Sequence, residues 1–323
     1  MRVGLDVGGT KTEAVALDGA GTVIARVRRP TALGPDGVIA SIHAAVDEVS
    51  ARTGGRATSV GIGMPGQIVP GSGIISHAVN LGVRSLDVAA VVGTALGVPV
   101  DVENDVKAAA LGAAVLRSAV VPATTATATA TVTPGLAYLN LGTGVAAGLV
   151  TGGALWRGSR GAAGEIGHLS VDPAGPRCRC GQRGCIEALA GGRAVAERWG
   201  RPAVLPVADV FDCADGTDLD GPVRARAREL REDVVRGVAA AVRVLVLTAD
   251  VDVVVLGGGL TALGDRLVAP VRAALRRSGE TSPFLRSLHL DERIELLPAG
   301  SPAAALGAAL LGAERGEEVL TVG

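Results

Sequence analysis

Residues 164–187 read GEIGHLSVDPAGPRCRCGQRGCIE and hold three of the four cysteines of a 323-residue chain. Cys178, Cys180 and Cys185 stand in the spacing C-x-C-x4-C, with Gly181 and Gly184 inside the turn and His168 upstream. A Cys3His set is the tetrahedral nitrogen and sulfur coordination that zinc prefers, and the two glycines supply backbone angles that let three thiolates face one point. Three buried thiols beside an unrelated histidine are the plain alternative, but Arg177, Arg179 and Arg183 among them do not resemble a core segment. With four protein ligands no position stays open for water, so the expected zinc is structural. Glu165 and Glu187 flank the cluster and are not needed as ligands. Tied to one metal knot, they read as hydrogen-bond acceptors directed into a pocket. Cys213 reads as a structural cysteine.

Three glycine turns follow apolar runs: DVGGTKT at 6–12, LGTGVAAG at 141–148 and VLGGG at 255–259. The first misses the phosphate-loop pattern because Thr10 separates Gly9 from Lys11. The third fits G-x-G-x-x-A through Gly257, Gly259 and Ala262, without the acidic residue about 20 positions on that would hold a ribose. Phosphate-sized turns in separate halves of the chain suggest a nucleotide held in a cleft between two domains. Asp6 suits a Mg2+ water while Gly8, Gly9, Thr10 and Lys11 face phosphate, with Thr143, Gly144 and Gly257, Gly258 and Gly259 as the second and third turns. In VENDVKAAA, Asn104 and Asp105 open a helix, and Asp105 is either its N-cap or a general base for phosphoryl transfer.

These residues need a layered scaffold, and composition supplies one. The chain is 48% hydrophobic but 2% aromatic, so its core is built from Val, Ala and Leu, as suits helices laid on parallel strands. Net charge is -1 and neither sign forms a block, which gives no support for a nucleic-acid partner. No run of apolar residues reaches membrane-spanning length, and MRVGLDVGGT is no signal peptide, so no membrane association and a cytoplasmic location are expected. Periodicity predicts a β-hairpin over 2–28 with its turn at Asp18-Gly19, helices near 36–52, 87–96, 223–248 and 262–278, strands at 59–63, 98–104, 135–141 and 251–259, and a last Ala-rich helix at 301–316. The uncharged Ala/Thr stretch at 119–134 reads as a surface loop. No sequence repeat is apparent, although both halves open on a strand and a glycine turn.

Taken in order, DVGGTKT, GIGMPGQIVPGSG, NLG, END, LGTG, EIGH, CRCGQRGCIE and VVVLGGG resemble the ROK family of sugar kinases and sugar-responsive repressors. The resemblance implies an α/β fold of two actin-like (ribonuclease H-like) domains with a cleft between them: a smaller one, 1–110 with the C-terminal helix about 302–316, and a larger one, 111–301, carrying zinc. It implies Asp105 as catalytic base and Gly66, Asn80, Asn104, Glu165, His168 and Glu187 as sugar contacts, His168 using one ring nitrogen for zinc and the other for sugar. The implied activity is ATP- and Mg2+-dependent phosphorylation of the 6-hydroxyl of an aldohexose, glucose first, by a homodimer or tetramer. The alternatives are a kinase for N-acetylglucosamine or N-acetylmannosamine, polyphosphate as donor, or a non-catalytic sugar sensor without the N-terminal DNA-binding domain of family repressors. There are two departures from the family pattern. Ala146 and Ala147 stand where many family kinases carry glycine, with their methyls expected to crowd the phosphate loop, and Val83 replaces an aromatic after N-L-G.

Overall fold

The apolar run RVGLDV forms β1 (Arg2–Val7), and the chain reverses through Gly8–Thr10 into β2 (Lys11–Leu17) and again into β3 (Val23–Pro30). The hairpin expected over 2–28 is therefore a three-stranded antiparallel meander with one turn more than periodicity suggested. The Gly8 N–H closes the first turn on the Lys11 carbonyl at 3.0 Å. Asp18 closes the second, its Oδ1 accepting the N–H groups of Ala20 and Thr22 at 2.9 Å each. The computed structural model describes residues 1–69, 71–120, 135–216, 221–298 and 300–317.

Helix α1 (Pro35–Thr53) buries Val38, Ile42, Ala45, Val46 and Val49, the 3.6-residue stripe of a helix on a sheet. It leads to β4 (Ser59–Met64) and to a small sheet not foreseen from the sequence, made of β5 (Gln67–Ile68), β6 (Ile74–Ala78) and β7 (Val83–Asp87). Then come α2 (Val88–Leu96), β8 (Val100–Asn104) and α3 (Asp105–Val120). Strands β1, β4 and β8 are parallel neighbours, and the sheet order is β3-β2-β1-β4-β8. The first two positions of the expected surface loop, 119 and 120, end α3; 121–134 lie outside the described residues.

The second sheet is assembled from β9 (Leu136–Leu141), β10 (Val145–Thr151), β11 (Ala154–Leu155), β12 (Val253–Gly257) and β13 (Ile294–Leu296), in the order β11-β10-β9-β12-β13. Its helices are α4 (Ile186–Ala190), α5 (Gly192–Trp199), α6 (Pro206–Asp215), α7 (Gly221–Ala249), α8 (Asp265–Glu280) and α9 (Pro283–Ser287), and α10 (Ala303–Glu317) ends the fold. With the small sheet set aside, both large sheets run 3-2-1-4-5 in chain order, a duplication that the sequence does not display as a repeat. Among the described residues no helix is long and apolar enough to cross a membrane.

The chain divides into two units, one of Met1–Thr133, Gly148–Ala163 and Gly300–Gly323, the other of Pro134–Ala147 and Gly164–Ala299. The boundary expected after residue 110 falls inside α3, which runs unbroken to Val120 and stays with the first unit. What holds it there is small-residue packing against α10. A Cβ on Gly112 would stand 1.9 Å from the Ala303 carbonyl oxygen, and one on Gly307 1.7 Å from that of Ala108. The same helix lies directly on the sheet, since a Cβ at Gly61 would meet the Ala308 oxygen at 1.8 Å. Close backbone approach replaces large side chains in this core, which is how a chain so poor in aromatics fills its interior.

Candidate active site

In the first unit the candidate residues gather at the carboxyl ends of the parallel strands, the usual place for a ligand in open α/β sheets. Asp6 pairs across the sheet with Glu13 on β2 and with Gly63 on β4, and Gly63 pairs with Glu103 on β8. Gly63 also leaves room for α3: a Cβ there would lie 3.4 Å from the Asp105 Cα. Asn104 is the N-cap of α3, its Oδ1 accepting the N–H groups of Val106 at 3.1 Å and Lys107 at 3.2 Å. Asp105 is thereby the first helical residue and not the cap, its Oδ1 taking a share of the Val106 N–H at 2.9 Å.

The Asn104 Nδ2 donates to the Gly66 carbonyl at 3.4 Å, so this side chain serves the fold first and keeps one Nδ2 hydrogen for a ligand. Gly66 has φ +120, and a Cβ on it would stand 2.8 Å from the Ser76 oxygen, which fixes glycine there. The Gly8–Thr10 turn lies beside the exposed Asn80: a Cβ on Gly9 would be 2.6 Å from the Asn80 carbonyl oxygen. Thr10 and Lys11 are exposed. Glu103, the first letter of END, was not singled out from the sequence, yet it is 7% exposed and its Oε1 accepts the Asn104 N–H at 2.9 Å. A carboxylate ending a buried strand was the signal for it.

Arg26 and Arg28 neutralise Glu13 at 2.7 and 2.9 Å. Asp6 beside it is pushed up to about 7, first by burial and then by the charges of Asp105 and Glu13, with Lys11 and Arg28 working the other way. A carboxyl so crowded by its own sign suits a divalent cation, which would restore its charge. In the cation-free protein the sign is definite. Asp6 is neutral in both folded and unfolded chains below about pH 4, and its neutral form stabilises the fold. That contribution is lost as pH rises toward about 7. Asp6→Asn, which cannot ionise, is therefore expected to melt level with the parent at about pH 4 and on the order of 5 °C higher at about pH 7.5. Thermal melts across that range check it, and a pH-independent gain would refute the cause.

The second unit holds the cysteine knuckle. Cys180 Sγ and Cys185 Sγ lie 3.6 Å apart and Cys178 Sγ lies 4.0 Å from His168 Nδ1. The ligand atoms of His168, Cys178 and Cys180 are all within 4.8 Å of one another. A zinc tetrahedron with bonds of about 2.3 Å has edges of about 3.8 Å, so the spacing of His168, Cys178 and Cys180 suits such an ion, with Cys185 beside Cys180 as the candidate fourth ligand. Nδ1 faces the thiols, which leaves Nε2 of the exposed His168 for another partner. Gly184 has φ +64 and a Cβ on it would overlap the Asp172 oxygen at 1.6 Å, so the expected need for glycine in the knuckle is met there. Without metal, burial pushes Cys185 up to about 12 and raises Cys178, while the Gln182 backbone N–H brings Cys180 down to about 7.

Glu187 lies in the first turn of α4 directly after the knuckle, and its Oε2 accepts the Val145 N–H at 3.0 Å. A Cβ on Gly144 would stand 2.3 Å from that oxygen, so glycine in LGTG makes room for the carboxylate. The Gly142 and Thr143 carbonyls accept the N–H groups of Gly192 at 2.9 Å and Arg193 at 3.1 Å, tying this turn to the start of α5. Thr143 itself is exposed, as is Glu165 at the head of the short 3-10 turn Ile166–His168.

Three expectations change. Gly257 is buried in packing, for a Cβ on it would stand 2.1 Å from the Tyr138 hydroxyl; it shapes the third turn from beneath. Gly258 touches the end of β9 in the same way, 2.5 Å from the Leu141 oxygen, and Gly259 alone of the three is exposed and open. Ala146 and Ala147 belong to β10 and not to the turn, Ala147 being buried with its N–H on the Gly164 carbonyl at 2.8 Å. Val83 is 2% exposed in the core of the first unit and makes no part of the site.

Comparison with known proteins gives the same direction. The sequence profile of the ROK family matches residues 2–315. A glucokinase of Halalkalibacterium halodurans is 30% identical over 293 residues, 84% of this chain and 83% of that protein. Among solved structures, a ROK hexokinase from Thermus thermophilus superposes with a TM-score of 0.75 at 32% identity, covering 98% of this chain and 99% of the other. A ROK family glucokinase from Streptomyces griseus, in complex with glucose and AMPPNP, superposes with 0.72 at 28% identity, covering 96% and 98%.

Proposed function

Because this chain belongs to the ROK family and shares its hexokinase-like, actin-like fold, we propose that it is a sugar kinase that transfers the γ-phosphoryl group of ATP to the 6-hydroxyl of an aldohexose, glucose first. The observation that carries this reading is the strand-to-helix junction, where Asn104 takes over the cap and Asp105 stands next to it, within electrostatic reach of Asp6. In this reading the Asp105 carboxylate accepts the hydroxyl proton. The hydroxyl oxygen forms its bond to phosphorus as the bond to the β-phosphate oxygen breaks, leaving ADP. Gly8, Gly9, Thr10, Lys11, Thr143, Gly144, Gly258 and Gly259 line the phosphate turns, and Asp6 would hold Mg2+, which when bound would supply positive charge for the transferred group.

Asn80, the spare Nδ2 hydrogen of Asn104, Glu165, His168 Nε2 and Glu187 Oε1 take the sugar hydroxyls. His168 Nδ1, Cys178, Cys180 and Cys185 would hold a structural zinc, which when bound would fix the His168 ring, while Glu187 next to the knuckle holds the Val145 N–H beside the Gly144 turn. The assignment carries with it a cytoplasmic location and a homodimer or tetramer.

The test is phosphoryl transfer from Mg-ATP to a panel of glucose, mannose, N-acetylglucosamine and N-acetylmannosamine, with polyphosphate as a second donor. Glucose is expected to give the highest kcat/KM. A higher value on an N-acetylhexosamine would reassign the acceptor, and no turnover with either donor would defeat the kinase reading.

A further inference from the structure

Two cationic side chains without a role in the chemistry above hold one stretch of chain against the junction that carries Asp105. Lys107 is 4% exposed and donates from Nζ to the Gly161 carbonyl at 2.5 Å. Arg157 donates from Nε to Glu103 Oε2 at 2.6 Å. Glu103 spends its other oxygen on the Asn104 N–H, and Asn104 caps α3 and holds Gly66. A chain of bonds thus runs from Arg157 through Glu103 to the residue preceding Asp105, and a second from Gly161 to the residue two beyond it. All of these residues lie in the first unit. Burying an ammonium and a carboxylate is costly, and apolar side chains of similar size would serve stability as well, so neither tie is needed merely to close a turn.

We infer that Arg157 and Lys107 are positioning residues for phosphoryl transfer, clamping segment 157–161 onto junction 103–107 so that the Asp105 carboxylate is held at its working angle. The inference rests on the kinase reading and extends it to residues outside the sugar and phosphate contacts. A base displaced by about 1 Å loses on the order of a hundredfold in rate without losing its substrate.

The test uses the full chain with Arg157→Ala, Arg157→Lys, Lys107→Met and Glu103→Gln, read by kcat, sugar KM and amide hydrogen exchange at 104–107 without substrate. Arg157→Ala is expected to lower kcat about ten- to hundredfold with the sugar KM within about threefold of the parent. Arg157→Lys recovers part of that loss, because an ammonium reaches Glu103 but lacks the guanidinium fork. Glu103→Gln and Lys107→Met lower kcat in the same sense. Exchange at the amides of Asn104, Val106 and Lys107 quickens in Arg157→Ala. A folded Arg157→Ala with unchanged kcat, or with raised KM and intact kcat, overturns the inference. If the parent phosphorylates no sugar, the kinase reading has failed, and exchange decides the clamp by itself: unchanged protection at Asn104 and Val106 refutes it, quickened exchange upholds it. Should Lys107→Met not fold, the Arg157 pair of variants decides in the same way.

Discussion

Asp105→Asn is expected to lower turnover by about a thousandfold or more while the dissociation constant for sugar stays within about threefold. The amide keeps the size and the local hydrogen bond to the Val106 N–H but has no basic oxygen pair to take the hydroxyl proton. Because Asn104 and not Asp105 caps α3, the substitution leaves the helix start intact, and melting temperature should scarcely fall. It also removes one of the charges that hold Asp6 high, so the pH dependence of stability attributed to Asp6 should weaken in the same variant. Initial rates, sugar calorimetry and melts on one preparation separate the outcomes. Turnover retained within about tenfold would take the role of base away from Asp105, and a parallel loss of sugar affinity would mark it as a binding residue.

Removal of the proposed zinc is expected to have the second large effect. In small zinc-dependent folds the ion's binding energy is folding energy, so chelation should lower the melting temperature of this chain and unfold the segment from His168 to Cys185 first. Sugar affinity should fall by about tenfold, because the metal would be what fixes the orientation of His168. His168→Ala is expected to match the loss of sugar affinity, and Cys180→Ser to reproduce it without touching the sugar contacts. Zinc must displace protons from Cys178 and Cys185, which burial holds above the usual thiol range, so the metal should be lost more readily as pH falls. Metal content and sugar calorimetry before and after chelation, then after zinc is restored, decide the matter. Sugar affinity that does not follow the metal would break the proposed link between knuckle and pocket.

The local chemistry of this protein was legible in its sequence because it depends on residue type and short spacing. Cysteines at C-x-C-x4-C with a nearby histidine can meet at one ion whatever the rest of the fold does, and among the described residues His168, Cys178 and Cys180 bring their ligand atoms within 4.8 Å of one another. The alternation of helices and strands was legible for the same reason, since each element's apolar period is written in its own residues. Roles that depend on which backbone passes nearby were decided only by tertiary structure. Whether Asp105 or Asn104 caps α3 turned on side-chain direction at a single junction, and both residue types are good caps. Gly257 looks like part of a phosphate loop in one dimension, yet it is committed to Tyr138, which lies 119 positions earlier in the chain. The meaning of Ala146, Ala147 and Val83 changed once strand ends and core packing were known. The same is true of Gly112 in α3 and Gly307 in α10, which prove in the fold to be sites of close backbone contact between the two helices. Type and spacing determine which chemistry a stretch can support; long-range packing determines which of its residues remain available to perform it.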